Sequence, residues 1–394
     1  MKFETYKIAS LIDEISMGPF GSNIKVECFV NDGIPVLNGS NLDGVALSEN
    51  SFRYVTEEKA DSLGKANASR GDVVITHRGT LGQISFIPQN SKYNRYVISQ
   101  SQFRVRCNAK LLPEYLVYYF HTKKGQQKLL ANASQVGVPA LARASTTFQT
   151  IEIEVPPIEE QRKIVDILET IREKIELNSA INNNLQEQAS ALYKSWFVDF
   201  SSLATDKMIN STIGLIPSGW RVYRLSDFLP VITGKKNANV SSANGVYPFF
   251  SCSQDFAWTD DYSFEGHAIL VAGNGDFNVK WYNGKFEAYQ RTYVLIPYEE
   301  RFTSWLYYAV KHNLAKITSA ARGSVIKFIT KGNLEDFAFA APTDLKSCEI
   351  IDIFSSINRQ IDGLTQETYR LKSIRDTLLP KLMNGEINLS NFKI

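Results

Sequence analysis

The sequence predicts an α+β protein with a pseudo-twofold internal repeat: two similar mixed α/β domains separated by two long helices that pair as an antiparallel coiled coil. Three observations carry this. Two long segments have hydrophobic positions stepping by four and three residues, the segments lie 186 residues apart, and similar strand-like and aromatic-rich stretches precede each of them.

The first seam runs through Ile164, Leu168, Ile171, Ile175, Asn178, Asn182, Leu185, Ala189, Leu192 and Trp196. Shifting by 186 gives Ile350, Phe354, Ile357, Ile361, Leu364, Thr368, Leu371, Arg375, Leu378 and Leu382, and eight of the ten positions are apolar in each set. This is the heptad step of a coiled-coil face. Paired antiparallel and end to end, Ile164 faces Leu382, Ile175 faces Leu371 and Asn178 faces Thr368. The central polar pair then fixes register at some cost in stability. At 1.5 Å per residue the seam spans about 48 Å, longer than the roughly 34 Å turn of B-DNA that separates successive major-groove segments. Pro380 is expected to kink or end the second helix, which makes Leu382 the least secure seam position.

The repeat extends upstream. Ile151-Glu152-Ile153-Glu154-Val155 alternates like a strand and stops at Pro156-Pro157, and Phe337-Ala338-Phe339-Ala340-Ala341 does the same before Pro342. Gly137 and Gly323 are again 186 apart in polar loops. Ser99-Gln100-Ser101-Gln102-Phe103-Arg104-Val105 resembles Tyr289-Gln290-Arg291-Thr292-Tyr293-Val294-Leu295, and an aromatic-rich helix follows each, around residues 115–120 and 305–308. The boundaries read from this pattern are a first domain at 1–155, a central helical region at 156–200, a second domain at 201–343 and a C-terminal helical region at 344–394. A polar linker is placed at 201–218.

Charge separates along the same lines. Residues 1–150 hold 17 Lys/Arg against 12 Asp/Glu, residues 151–200 hold 5 against 10, and residues 201–343 hold 14 against 12. The two domains are positive and the connector between them negative, which suits nucleic-acid-facing domains on a connector that faces something else. Proteins that never touch nucleic acid can carry as much charge, so a coiled-coil protein-interaction scaffold without DNA binding stands as the alternative. No stretch reaches the roughly 20 apolar residues of a membrane span, and the start lacks the apolar core of a signal peptide. A cytoplasmic protein with no membrane partner is expected. Cys28, Cys107, Cys252 and Cys348 form no C-x-x-C pair and read as reduced.

At the helices the sequence resembles a known family. Val155-Pro156-Pro157-Ile158-Glu159-Glu160-Gln161-Arg162-Lys163-Ile164-Val165 and Ala191-Leu192-Tyr193-Lys194-Ser195-Trp196-Phe197-Val198-Asp199-Phe200 resemble the two ends of the central conserved region of the specificity (S) subunits of type I restriction-modification systems. Leu378-Leu379-Pro380-Lys381-Leu382-Met383-Asn384-Gly385-Glu386-Ile387 is similar to that family's C-terminal region. Gly18-Pro19-Phe20-Gly21-Ser22 and Gly71-Asp72-Val73-Val74-Ile75 also look typical. The resemblance implies a prokaryotic, non-catalytic subunit of a site-specific deoxyribonuclease and adenine-N6 DNA methyltransferase complex. Each domain would be a target-recognition domain reading one half of a bipartite target in double-stranded DNA. The helices would set the spacer and dock two methyltransferase (modification) subunits, which restriction (motor/nuclease) subunits join. S-adenosylmethionine, ATP and Mg²⁺ would belong to those partners, leaving this chain without a cofactor. One departure is that Pro342-Thr343-Asp344-Leu345 replaces the P-P-x-x-E-Q lead-in at the second helix, so the two docking faces are expected to differ in strength.

Base readout needs polar and cationic side chains on loops that reach groove edges. The candidates are Ser22, Asn38, Ser40, Asn41, Thr76, Arg78, Gly79, Lys92, Tyr93, Arg95, Gln100 and Gln102 in the first domain. In the second they are Lys235, Lys236, Asn237, Ser253, Asn274, Gln290, Arg291, Arg322 and Ser324. For each the plain alternative is an ordinary solvated turn; Arg78, Arg95, Arg291 and Arg322 stand out because arginine pairs bidentately with guanine or clamps phosphate. Catalytic readings fail. Gly273-Asn274-Gly275 lacks the third glycine of a dinucleotide loop and reads as a tight turn. Gly234-Lys235-Lys236 lacks P-loop spacing, and Pro156-Pro157 lacks the flanking residues of an adenine-binding motif. His77, His121, His267 and His312 have no metal-ligand spacing. The aromatic helices fit a buried face better than a base-stacking platform. Glu159 and Glu160 favour the helix dipole, with partner contact as a second role.

Overall fold

The computed structural model describes residues 2–134, 138–203, 207–242, 245–319, 327–387 and 389, apart from the side chains of Ser22 and Ala238. Gly137, Gly323, Arg322 and Ser324 lie outside these residues. The chain forms two compact units: Met1–Ile175 with Tyr369–Ile394, and Glu176–Thr368. The division falls inside both long helices, Ile158–Phe197 and Ile350–Met383.

In the first unit Glu4–Lys7 pairs antiparallel with Glu152–Val155. A four-stranded sheet has the order Ile12–Met17, Gln102–Cys107, Asp72–Thr76, Ile84–Phe86, and a second has the order Arg53–Val55, Ile34–Val36, Arg95–Val97, Asn67–Ser69. The helix Pro113–His121 starts on a proline, whose missing N–H costs nothing in the first turn, and it buries Tyr115 to Phe120 in succession. It therefore belongs to the core, together with Val73, Ile75, Phe103 and Val105 of the sheet. Gly125 lets the following helix fold back, since a Cβ there would lie 2.1 Å from the Tyr119 carbonyl oxygen.

The second unit repeats this plan. Trp220–Arg224 pairs with Ala338–Pro342. A six-stranded sheet has the order Val231–Thr233, Thr292–Leu295, Phe264–Ala272, Val279–Ala288, Tyr247–Phe250, Ala257–Thr259. The long strand Val279–Ala288 does the work of two strands of the first unit: it pairs antiparallel with Phe264–Ala272 and parallel with Tyr247–Phe250. In the first unit Ile84–Phe86 makes the antiparallel pairing and Arg95–Val97 the parallel one. The helix Thr303–His312 buries Trp305, Leu306, Tyr307 and Tyr308.

The long helices carry the anticipated seam. In the first unit Ile164 and Leu168 are fully buried in one cluster with Leu379 and Leu382, and Leu378 packs against it. In the second, Ala189, Tyr193 and Phe197 join Ile350, Ile351 and Phe354, with Leu192, Trp196 and Ile357 alongside. Ile171, Ile175, Leu185, Ile361, Leu364 and Leu371 are half-buried. Buried Asn178 donates from Nδ2 to Glu367 Oε2 (2.8 Å) and to Thr368 Oγ1 (3.4 Å), so the anticipated Asn178–Thr368 register is present. Asn182 donates to Thr365 Oγ1 at 3.1 Å.

Two expectations are corrected. The C-terminal helix runs through Pro380 to Met383, and Leu382 is buried. A helix-interior proline costs about 3 kcal/mol. Burying Leu379, Leu382 and Met383 returns about 1.5–3 kcal/mol each, and Pro380 itself faces solvent. The stretch placed as a plain polar linker contains an antiparallel hairpin, Met208–Ser211 with Gly214–Pro217.

Each globular part is fastened to its long helix by a different side chain. Gln161 is fully buried: its Oε1 accepts from Leu112 N at 2.9 Å, and its Nε2 donates to the carbonyls of Lys110 (2.8 Å) and Pro156 (2.9 Å). In the second unit Arg301 donates to the carbonyls of Leu345, Lys346 and Cys348 and to both carboxylate oxygens of Asp352. Gln161→Ala strips buried main-chain groups of their partner. We expect it to destabilise the first unit by about 1–3 kcal/mol, measured by urea unfolding; an unchanged midpoint would contradict the fastening role.

Among the described residues no helix is long and apolar enough to cross a membrane. The cysteines are free thiols.

Candidate nucleic-acid interface

Four loops meet at one end of the first unit's sheet. Gly18 N donates to Gln102 O at 2.8 Å, and a Cβ on Gly18 would stand 1.9 Å from Ser99 O, so only glycine allows this approach. His77 N donates to Ser101 O (2.8 Å), and its Nε2 lies 3.2 Å from Gln100 O. Gly79 N donates to Pro139 O (2.9 Å) and Leu141 N to His77 O (2.9 Å), while Gly79 adopts φ 88°. Residues 18–23, 77–82, 99–102 and 138–141 are thus tied into one scaffold by main-chain bonds.

The second unit builds the same scaffold from different side chains. Gly234 N donates to Thr292 O (2.9 Å), and a Cβ there would sit 2.3 Å from two carbonyl oxygens. Gly273 N donates to Arg291 O (2.8 Å), Gly275 N to Lys327 O (3.2 Å) and Ile329 N to Gly273 O (3.0 Å), with Gly275 at φ 70°. Gln290 N donates to Lys236 O at 2.9 Å.

These scaffolds gather many of the candidates. Arg78, Gly79 and Gln100 are exposed on the first, where a cleft of about 320 Å³ is lined by Phe20, Asn38, Arg53 and Gln100 among others. Asn38 and Ser40 are also exposed; Asn38 Oδ1 caps the turn by accepting from Ser40 N and Oγ (2.8 and 2.6 Å). On the second, Lys235, Asn237, Ser253, Gln290 and Arg291 are exposed, with Lys236 and Asn274 half-buried. Gln290 and Arg291 line a cleft of about 350 Å³. Burial lowers the pKa of the His77 imidazole from its ordinary value, which favours its neutral, hydrogen-bonding form.

Other candidates are otherwise engaged. Asn41 is fully buried, donating to the Ser48 and Asn50 carbonyls (3.0 and 3.1 Å) and accepting from Asn38 N (3.0 Å). Thr76 is buried beside Gln83 Oε1, and Gln102 is buried with Oε1 accepting from Ser99 N at 2.9 Å. These three brace the loops and cannot reach a groove. Arg95 is paired with Asp61 at 2.7 Å, Tyr93 with Tyr54 at 3.2 Å, and Lys92 lies over the Tyr93 ring. The sequence reading missed Lys280 and Asn278: Lys280 Nζ donates to Asn278 Oδ1 (2.6 Å) and Ser251 O (3.2 Å), and Asn278 Nδ2 to Cys252 O (2.8 Å). They shape the loop that carries Ser253. Nothing in the sequence around Asn278 and Lys280 marks them out from an ordinary strand entry. Among the described residues no group of His, Cys, Asp or Glu could hold a metal ion.

Duplicated loop platforms, each presenting arginine and glutamine on a rigid main-chain frame, define a paired recognition module. The chain belongs to the type I restriction modification DNA specificity domain family, whose model matches residues 20–187 and 217–373. It is 36% identical over 178 residues to the type I restriction enzyme EcoDI specificity subunit of Escherichia coli, a match covering 44% of this chain and only 40% of that subunit. It is 23% identical over 368 residues to the MjaIX specificity subunit of Methanocaldococcus jannaschii, covering 86% of this chain and 82% of the relative. The crystal structure of the type I restriction-modification system S subunit from M. genitalium shares the fold, with a TM-score of 0.64 at 17% identity over 97% of this chain and 96% of that one.

Proposed function

We propose that this chain is the DNA-specificity subunit of a type I restriction-modification enzyme, each unit reading one half of a bipartite target through its loop platform. The observation that carries the reading is the duplicated platform itself, with Arg78 and Gln100 exposed on one copy and Arg291 and Gln290 on the other. Arginine pairs bidentately with guanine and glutamine with adenine in the major groove. The paired helices set the unread spacer and dock two modification subunits, which restriction subunits join. S-adenosylmethionine, ATP and Mg²⁺ act in those partners; the chain alone neither methylates nor cuts, and works in a prokaryotic cytoplasm.

Single-molecule mapping of methylated adenines, with and without this gene, should reveal one split motif that depends on it. Exchanging residues 215–343 for the equivalent part of a relative should then change one half-site only. A change in both halves, or in neither, would refute modular reading. Binding of the mapped duplex should also weaken steeply with salt, because phosphate contacts release counterions.

A further inference from the structure

Phe20 is 83% exposed, and Val26, six residues on, is 81% exposed. An aromatic ring left in water forgoes its burial free energy, yet this ring is held out by a stiff frame. Pro19 restricts the backbone before it. Gly18 is pressed on Ser99, a Cβ on Gly21 would lie 2.0 Å from Gln100 Oε1, and Asn23 N donates to Phe20 O at 2.8 Å. Phe20 rims the first unit's cleft together with Asn38, Arg53 and Gln100. Arg53 leans over the Phe29 ring at 5.1 Å with its side chain still exposed.

The equivalent turn of the second unit begins at Gly234 and continues with Lys235, Lys236 and Asn237, where the first has Pro19, Phe20 and Gly21. The two frames agree and the side chains they present differ in kind.

We propose that Phe20 is an apolar wedge that the first unit sets against the base stack of its half-site, while the second unit holds the equivalent place on its own half-site with lysines on phosphate. This rests on the DNA-reading function proposed above. A rigidly held apolar ring flanked by hydrogen-bonding and cationic groups is the arrangement that unstacks a base step and steadies the distorted duplex. The cleft that Phe20 rims has an apolar floor of Ile24, Phe29 and Val36 and carries Asn38, Arg53 and Gln100 beside it. That cation and those amides, on the same frame as Arg78, favour a duplex over a purely apolar protein partner.

The test uses the full chain and a duplex carrying the mapped motif, titrated at several salt concentrations, with 2-aminopurine placed at successive steps of the first half-site. Phe20→Ala should weaken binding about 5- to 100-fold, the range for loss of one aromatic–base contact, without changing the salt slope. It should also abolish a fluorescence rise that the unsubstituted chain produces at one step; Phe20→Trp should retain both. Lys235→Ala with Lys236→Ala should reduce the salt slope by up to about 2. If the unsubstituted chain fails to bind the mapped duplex, the DNA-reading function itself falls. If it binds and Phe20→Ala binds equally well, or loses affinity together with salt slope, the wedge is overturned. A Phe20→Ala chain that binds DNA normally but no longer joins its protein partners would also overturn it. Because Phe20 is exposed, its variants should unfold at the same temperature as the parent.

Discussion

Asp72→Ala should destabilise the first unit by about 3–5 kcal/mol, the cost of breaking a buried ion pair from one side. Asp72 is fully buried on the strand Asp72–Thr76, and its carboxylate is the centre of a cross-strand network. Oδ1 accepts from Arg106 Nε at 2.9 Å; Oδ2 accepts from Ser69 N at 2.9 Å, Arg106 Nη2 at 3.2 Å and Arg104 Nη1 at 3.4 Å. Arg104, itself buried, also reaches Glu14 Oε1 (2.8 Å) and Lys65 O (3.1 Å). Removing Asp72 leaves the Arg104 guanidinium, in the sheet between Ile12–Met17 and Asp72–Thr76, with the Lys65 carbonyl and one partly exposed carboxylate, Glu14. Thermal and urea unfolding would measure the loss. A variant within about 1 kcal/mol of the parent would mean that water reaches Arg104 and that the network is not closed.

Leu168→Glu should be at least as damaging. Leu168 is fully buried among Ile164, Val165, Leu379 and Leu382. The change forfeits about 1.5–3 kcal/mol of leucine burial and adds several kcal/mol for desolvating a carboxylate. The two helices should part in the first unit, with loss of helical circular dichroism and of specific DNA binding. Leu177→Glu is the control on the same helix: Leu177 is 54% exposed, so its replacement should stay within about 0.5 kcal/mol. Equal damage at both positions would refute the seam.

The helices were legible because their burial is periodic: every seam position read from the four-three step is buried or half-buried, down to the Asn178–Thr368 pair. The platforms were legible only in part, because the repeat drifts in register. Corresponding residues of the two units lie 186 apart at the helices (Ile164 and Ile350) and 190 apart at Ser101 and Arg291. The gap is 196 for His77 and Gly273 and 216 for Gly18 and Gly234. Loops between paired strands change length at little energetic cost, so a fixed shift aligns the C-terminal part of the repeat and loses the glycines that build the sites. Asn41, Thr76 and Gln102 were misplaced for another reason. A polar side chain that satisfies buried main-chain groups has the same composition as one that awaits a ligand, and only burial separates them.

The fastenings at Gln161 and Arg301 bear on how such a chain can acquire a new target. Gln161 sits on the helix and bonds only main-chain atoms, two of them in the globular part at Lys110 and Leu112. Arg301 sits in the globular part and its guanidinium reaches three main-chain carbonyls in the lead-in to the helix and the Asp352 carboxylate. Every polypeptide carries these main-chain groups, whatever its sequence. A foreign domain spliced in at residues 215–343 would therefore meet polar contacts that ask for backbone shape and for an arginine opposite Asp352, beside an aromatic face (Tyr193, Phe197 and Phe354) that asks for apolar partners such as Trp220, Trp305 and Tyr308. The joint works as a standard fitting, and it leaves the loop side chains at the far end of each sheet free to diverge.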